Sequence, residues 1–132
     1  VNCETDFVAR TEKFQEFARN MAIHVANLTP KYVRREEVPA EEVAAEREIQ
    51  KHRAMNEGKK PEAVIEKIVD GRMEKFFEEI VLLEQPFVKD DSKKISAMLA
   101  ETVAELGESI QISRFARFKI GESANSDAES NE

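Results

Sequence analysis

The stretch ESIQISRFARFKIGE, residues 108–122, distinguishes a mixed fold from an all-helical one. Its side chains alternate between apolar and polar with a period of two, which is the period of a β-strand. The apolar members of this alternation are Ile110, Ile112, Ala116, Phe118 and Ile120. Arg114 and Phe115 interrupt the alternation once. We therefore predict a long strand over residues 109–121 with one buried face.

A strand of this length needs partner strands, because buried backbone amides and carbonyls must be hydrogen-bonded. Residues 1–3 form the only other candidate strand, and even a complete two-stranded hairpin is marginal in water. We therefore expect the partner strands to come from residues that precede Val1 or from another subunit. The chain begins with Val1 rather than Met, so we expect it to be a piece of a longer protein.

Between the two candidate strands lie four helical patterns, in which apolar residues recur at spacings of three and four. The first helix begins after Thr11 as N-cap and ends before Pro30. Its apolar stripe consists of Phe14, Phe17, Ala18, Met21, Ala22, Val25 and Leu28. A second helix is predicted over residues 39–57, with Pro39 in its first turn. Because this helix is poor in apolar residues, we expect it to lie on the surface or to reach a partner.

The remaining two helices carry clearer apolar stripes. The third begins at Pro61, and its stripe consists of Val64, Ile65, Ile68, Met73, Phe76, Ile80 and Leu83. Gly71 lies inside this helix at a cost of about 1 kcal/mol relative to Ala, so we expect a bend or a close helix crossing there. Asp91 or Ser92 is the candidate N-cap of the fourth helix, which ends at Gly107. Together with the strand, these helices predict the α+β fold class.

Composition excludes several classes of function. The formal net charge is -7 and 36% of the residues are charged, which argues against a nucleic-acid partner, since phosphate binding draws on clustered Lys and Arg. No apolar run approaches the roughly 20 residues that a membrane span requires. Cys3 is the single cysteine, so no internal disulfide forms and a reducing compartment is expected.

Enzymatic chemistry is not predicted, because the sequence lacks a glycine-rich phosphate loop, a nucleophile motif and a metal-ligand cluster. We therefore predict no catalytic residue, no metal ligand and no cofactor. His24 lies in the first helix, and we expect it at the helix surface or at the edge of the core. Asp6 and Phe7 stand out instead, because a bulky apolar ring beside a carboxylate falls outside the helical stripe. Without further information, Phe7 is either an internal staple on the first helix or a contact for a partner.

Three stretches resemble the elongation factor Ts family, whose members exchange nucleotide on the translational GTPase elongation factor Tu. They are VNCETDFVAR at residues 1–10, IVDGRMEKFFEEIVLLEQPFVKDD at residues 68–91 and GESIQISRFARFKIGE at residues 107–122. The matches occur in family order and cover roughly residues 1–122. The resemblance implies an antiparallel sheet packed against several helices, with part of the sheet and the N-terminal helical module of the family missing from this chain.

The resemblance also implies a domain organisation. Residues 1–120 would form the core domain, truncated at its N-terminus, and residues 121–132 an acidic tail that we expect to be disordered. Some members contain a duplicated core, whereas others have a single copy and dimerise. This chain shows one copy without an internal repeat, which resembles the dimerising kind and implies a homodimer.

The resemblance implies that the functional segment consists of Thr5, Asp6, Phe7 and Val8, which match the TDFV element of the family. Phe7 would act as an apolar wedge between helices of elongation factor Tu, with Asp6 as an anchor, and would loosen the bound Mg²⁺ so that GDP leaves. The chain would bind elongation factor Tu as its partner and bind neither nucleic acid nor a membrane. A bacterial cytoplasm is the simplest location, with an organelle as the alternative. The competing interpretation is a helical scaffold without exchange activity, built on residues 39–57 and 61–83.

Overall fold

The fold combines five helices with two small antiparallel sheets in the computed structural model, which describes residues 1–121. In chain order, the elements are β1 (Asn2–Cys3), α1 (Asp6–Ala9), α2 (Glu12–Leu28), α3 (Ala40–Asn56), α4 (Glu62–Ile80), β2 (Pro86–Phe87), β3 (Asp90–Lys94), α5 (Ile95–Leu106) and β4 (Ile110–Gln111). This mixture confirms the α+β class. Of the predicted acidic tail at residues 121–132, all but Gly121 lies outside the described residues.

α2 begins and ends where its sequence signals indicate. The Thr11 hydroxyl accepts a hydrogen bond from the Phe14 amide at 3.3 Å, and so caps the first turn. Thr29 ends the helix in the left-handed region, with φ of 50°, directly before Pro30. The apolar face of α2 packs into the larger of two cores. The buried members of this core are Val8, Phe14, Phe17, Met21, Val25, Val33, Leu82, Phe87, Ile95, Ile110 and Ile112.

α3 and α4 pack against each other and are joined by a five-residue connection. Pro39 and Pro61 are the N-cap residues of α3 and α4, so each lies just before the first turn rather than in it. A second core lies along α4, and its buried members are Val38, Val69, Met73, Phe77, Ile80 and Val81. α3 buries only Ala54, which confirms that this helix is largely a surface element. The expected close crossing at Gly71 is wrong, because a Cβ added there would meet no atom within 4 Å and α4 continues through it.

The segment between α4 and α5 contains a hairpin that the sequence patterns did not predict. β2 pairs antiparallel with β3, with Phe87 opposite Asp90. Neither Asp91 nor Ser92 caps α5, because both lie inside β3 and the helix begins only at Ile95. The predicted C-terminal end is confirmed, since Gly107 has a φ of 70° and caps α5 in the left-handed region.

The long strand predicted over residues 109–121 is wrong within the described structure. Only Ile110 and Gln111 are paired, antiparallel to Asn2–Cys3, which lies within the candidate strand predicted at residues 1–3. The ladder ends there because β1 offers two residues, and the next carbonyl, that of Ile112, accepts a hydrogen bond from Arg34 Nη2 at 2.9 Å. Further along, Phe118 and Ile120 are 94% and 104% exposed, so the expected buried face stops at Ile112.

Candidate functional site

The TDFV segment forms the N-cap and most of α1. Thr5 is the N-cap in an extended conformation, and its hydroxyl accepts a hydrogen bond from the Val8 amide at 3.4 Å. At the other end, the amide of Thr11 donates to the carbonyl of Val8 at 3.0 Å, which links α1 directly to the cap of α2. The segment is therefore a short, capped helix between β1 and α2 and is fixed at both ends.

Phe7 projects from this helix into solvent, with 79% of its surface exposed. The adjacent Val8 is 9% exposed and belongs to the larger core. Phe7 is therefore not an internal staple on α2, since a staple would bury its ring. The outward ring leaves unused the roughly 1.5–3 kcal/mol that burying a phenylalanine side chain is worth.

Asp6 also faces solvent. Its carboxylate lies 3.5 Å from Arg10 Nη2, and both side chains are more than 70% exposed. An exposed ion pair of this kind contributes about 0–1 kcal/mol, so giving it up for another partner costs little. The carboxylate at position 6 is thus accessible beside the Phe7 ring, and the structure brings together the acid and the aromatic singled out in the sequence.

Glu108 is the residue of this site that sequence reasoning missed. Its Oε1 accepts hydrogen bonds from the backbone amides of Glu4 at 3.1 Å and Thr5 at 2.9 Å. Its Oε2 accepts from the Thr5 hydroxyl. The contact spans more than 100 residues of chain, so no local pattern reveals it. The sequence does place Glu108 between the α5 cap at Gly107 and the strand that pairs with β1. This position was the one indication that its side chain lies near β1.

His24 is fully buried, which corrects its predicted place at the helix surface or core edge. Its Nε2 lies 2.8 Å from Gln85 Oε1, and its Nδ1 accepts a hydrogen bond from the Val88 amide at 3.1 Å. Burial lowers the pKa of His24, although the hydrogen bond to Gln85 opposes this effect. The ring stacks on Phe87 at a centroid distance of 6.0 Å, so both residues hold the β2 segment against α2.

A shallow cleft of about 400 Å³ lies between α3 and α4. Its charged lining residues are Glu46, Arg53, Glu57, Arg72, Lys75 and Glu79. Three acids and three bases give this cleft no preference for ligands of either charge. Among residues 1–121, no group of three or more His, Cys, Asp or Glu side chains is placed to hold a metal ion. In the same part of the chain, no helix has the length and apolarity needed to cross a membrane.

Comparison with known proteins assigns the chain to a family. The family model for elongation factor TS matches residues 15–122. Elongation factor Ts of Anaeromyxobacter dehalogenans (strain 2CP-1) is 59% identical over 92% of this chain and 55% of its own length. Those of Carboxydothermus hydrogenoformans and Herpetosiphon aurantiacus are 53% and 56% identical, again over 92% of this chain, and over 56% and 61% of their own lengths. The chain thus spans about half the length of the curated relatives it matches. This chain belongs to the elongation factor Ts family.

Proposed function

We propose that the chain is the part of a translation elongation factor that binds elongation factor Tu and promotes release of its GDP. Membership of the elongation factor Ts family supports this role. The observation that carries the proposal is the 79% exposure of Phe7 on a helix that is capped and fixed at both ends. Phe118 is exposed too, but it lies in a stretch without regular secondary structure, whereas Phe7 is displayed by ordered structure.

In the proposed mechanism, Phe7 enters an apolar pocket between helices of the partner GTPase. Its burial there releases the free energy that the free factor forgoes by exposing the ring. Asp6 gives up its weak pairing with Arg10 and anchors the segment through hydrogen bonds to the partner. Thr5 caps the helix, and Val8 packs in the larger core. Both residues therefore contribute by holding Phe7 in place.

The entry of Phe7 shifts the partner's elements that support Mg²⁺, whose octahedral coordination tolerates little distortion. The diphosphate then loses its main charge partner and GDP leaves. No bond is made or broken by the factor, which acts by stabilising the nucleotide-free GTPase. Thermodynamic linkage requires that GDP weaken binding of the factor by the same ratio by which the factor weakens binding of GDP.

We also propose a domain organisation, an oligomeric state and a cellular location. Residues 1–120 act as one core domain, and the single copy of that core associates as a homodimer. The protein works in the bacterial cytoplasm. The scaffold alternative rests on the α3–α4 pair, in which Arg47 forms ion pairs with Glu66 at 2.9 Å and Asp70 at 2.7 Å.

Release of a fluorescent GDP analogue from elongation factor Tu separates the two functions. The complete native protein, added in increasing amounts, should accelerate release to a saturating rate at fixed Mg²⁺ concentration. A scaffold would bind elongation factor Tu or another protein without changing the release rate. Binding to the GTPase with no acceleration at any concentration of the factor would rule out the exchange function.

A further inference from the structure

We propose that Glu108 is a positioning residue for the exchange reaction, acting through Thr5 to hold α1 in the orientation that displays Phe7. This inference rests on the proposed function and adds to it a residue outside the TDFV element. Its carboxylate accepts three hydrogen bonds from two consecutive residues, namely the amides of Glu4 and Thr5 and the hydroxyl of Thr5. Hydrogen bonds to an ionised acceptor are the stronger kind.

The Thr5 hydroxyl connects this carboxylate to the helix. A hydroxyl has one hydrogen to donate and two lone pairs with which to accept. Here the hydrogen is donated to Glu108 Oε2, so the oxygen presents a lone pair to the amide of Val8. That amide belongs to the first turn of α1, next to Phe7. Glu108 therefore fixes the rotamer of the cap, and the cap fixes the start of the helix.

Regular secondary structure flanks Glu108 on both sides. It follows Gly107, whose left-handed conformation ends α5, and whose amide donates to the Val103 carbonyl at 2.9 Å. Two residues later, Ile110 pairs with Cys3 across the β1–β4 ladder. The carboxylate thus stands on an ordered turn between a helix and a strand, directly opposite the segment it binds. An acceptor placed in this way reduces the entropy that α1 would otherwise lose on binding a partner.

Preorganisation predicts a specific kinetic signature. Without Glu108, α1 samples other orientations, and only a fraction of molecules displays Phe7 correctly, which weakens apparent affinity by that fraction. Once bound, the same Phe7 ring reaches the same pocket. We therefore expect Glu108→Gln to raise the half-saturating concentration of the factor by about tenfold, in line with loss of a charge-assisted hydrogen bond. The maximal GDP release rate should change little.

Glu105→Gln provides the matched control. Glu105 lies in the last turn of α5, shortly before Glu108, carries the same charge, and forms an exposed ion pair with Lys13 Nζ at 2.8 Å. The experiment measures GDP release from elongation factor Tu at varied concentrations of the complete native protein, for both variants and for Phe7→Ala with and without Glu108→Gln. Amide hydrogen exchange of residues 4–9 in the free factor gives a readout independent of the partner.

The proposal predicts faster amide exchange at residues 4–9 in Glu108→Gln, unchanged exchange in the α2 core, and wild-type behaviour for Glu105→Gln. It also predicts that Glu108→Gln has a smaller effect in the Phe7→Ala background, because the two residues act through one segment. Equal effects in both backgrounds, or unchanged exchange at residues 4–9, would overturn it. If Phe7→Ala itself leaves GDP release at the wild-type rate, the proposed function fails, and the amide exchange alone decides whether Glu108 orders the segment.

Discussion

Phe7 and Val8 are consecutive residues of α1, yet 79% of the Phe7 surface is exposed and only 9% of the Val8 surface. The four-residue helix thus has one side in the larger core and the other in solvent. Two substitutions one residue apart are therefore expected to act on different properties of the protein.

Val8→Ala should destabilise the fold, whereas Phe7→Ala should not. Removing two buried methyl groups and leaving a cavity costs about 2 kcal/mol of unfolding free energy. Truncating the exposed Phe7 should change it by no more than about 0.5 kcal/mol. Urea unfolding of the complete native protein measures both values. A loss for Phe7→Ala equal to that for Val8→Ala would show that the ring packs against its own chain.

The strand region offers a second matched pair. Ile112 is 2% exposed and Ile120 is 104% exposed, although both occupy the same parity of the alternating pattern. Ile112→Ala should therefore cost about 2–5 kcal/mol of unfolding free energy. Ile120→Ala should have an effect within about 0.5 kcal/mol. Comparable losses in thermal or urea unfolding would mean that the buried face extends along the whole predicted strand.

Stability should fall in mildly acidic solution because of His24. Its folded-state pKa is lowered by burial, so the unfolded chain, with a histidine pKa of about 6.5, binds the proton first as the pH falls. The contribution of the neutral ring is complete above about pH 6.5 and is lost progressively below that value. The free energy of unfolding can fall by no more than about 1.4 kcal/mol per pH unit through the binding of this one proton.

The His24→Gln variant is the control for this pH dependence. Gln does not titrate, and its amide offers one acceptor for the Val88 amide and one donor for Gln85, like the neutral ring. Urea midpoints measured between pH 5.5 and 7.5 (a window of about one unit around the histidine pKa) should decline less for the variant than for the wild type. Parallel declines would assign the pH dependence to other groups.

Short-range signals predicted two helix ends correctly, but those of Asp91 and Ser92 did not mark the start of α5. Thr11 caps the helix that follows it, and Gly107 ends α5 because glycine adopts the left-handed conformation easily. The alternation with a period of two in residues 109–121 did not predict the length of the strand. Pairing also needs a partner strand, and β1 supplies only two residues. The β2–β3 hairpin was not predicted, because β3 is polar and exposed throughout and therefore shows no alternation of apolar and polar residues.

The residues of the candidate site also differ in whether the sequence could predict them. Phe7 could be singled out because it falls outside the stripe of α2, and its exposure agrees with that departure. Glu108 could not be singled out, since its partner Thr5 lies 103 residues away in the chain. A surface carboxylate at a helix end is usually solvated, and only the tertiary pairing of β1 with β4 brings Glu108 to Thr5.

Phe14→Ala provides the contrast to Phe7→Ala in the partner assay. Phe14 is 8% exposed in the core, so its truncation should cost about 3–5 kcal/mol of unfolding free energy. Nucleotide exchange by this variant should fall only in proportion to the fraction of unfolded protein. Circular dichroism and GDP release, followed on the same samples, test that proportionality.

Asp6→Ala should resemble Phe7→Ala in direction. The carboxylate is exposed and its ion pair with Arg10 is weak, so its removal should leave the melting temperature nearly unchanged. If Asp6 anchors the segment on the partner, the affinity for nucleotide-free elongation factor Tu should decrease. Titration calorimetry with the nucleotide-free GTPase measures this, and unaltered affinity would remove Asp6 from the proposed interface.

The decisive measurement is GDP release from elongation factor Tu by the complete native protein carrying Phe7→Ala, with the melting temperature recorded on the same preparation. Loss of a buried aromatic anchor at an interface costs about 2 kcal/mol or more, so exchange efficiency should fall roughly thirtyfold while the melting temperature stays within a few degrees of the wild type. A variant that melts much earlier, while its folded fraction exchanges nucleotide at the wild-type rate, would contradict the wedge role of Phe7.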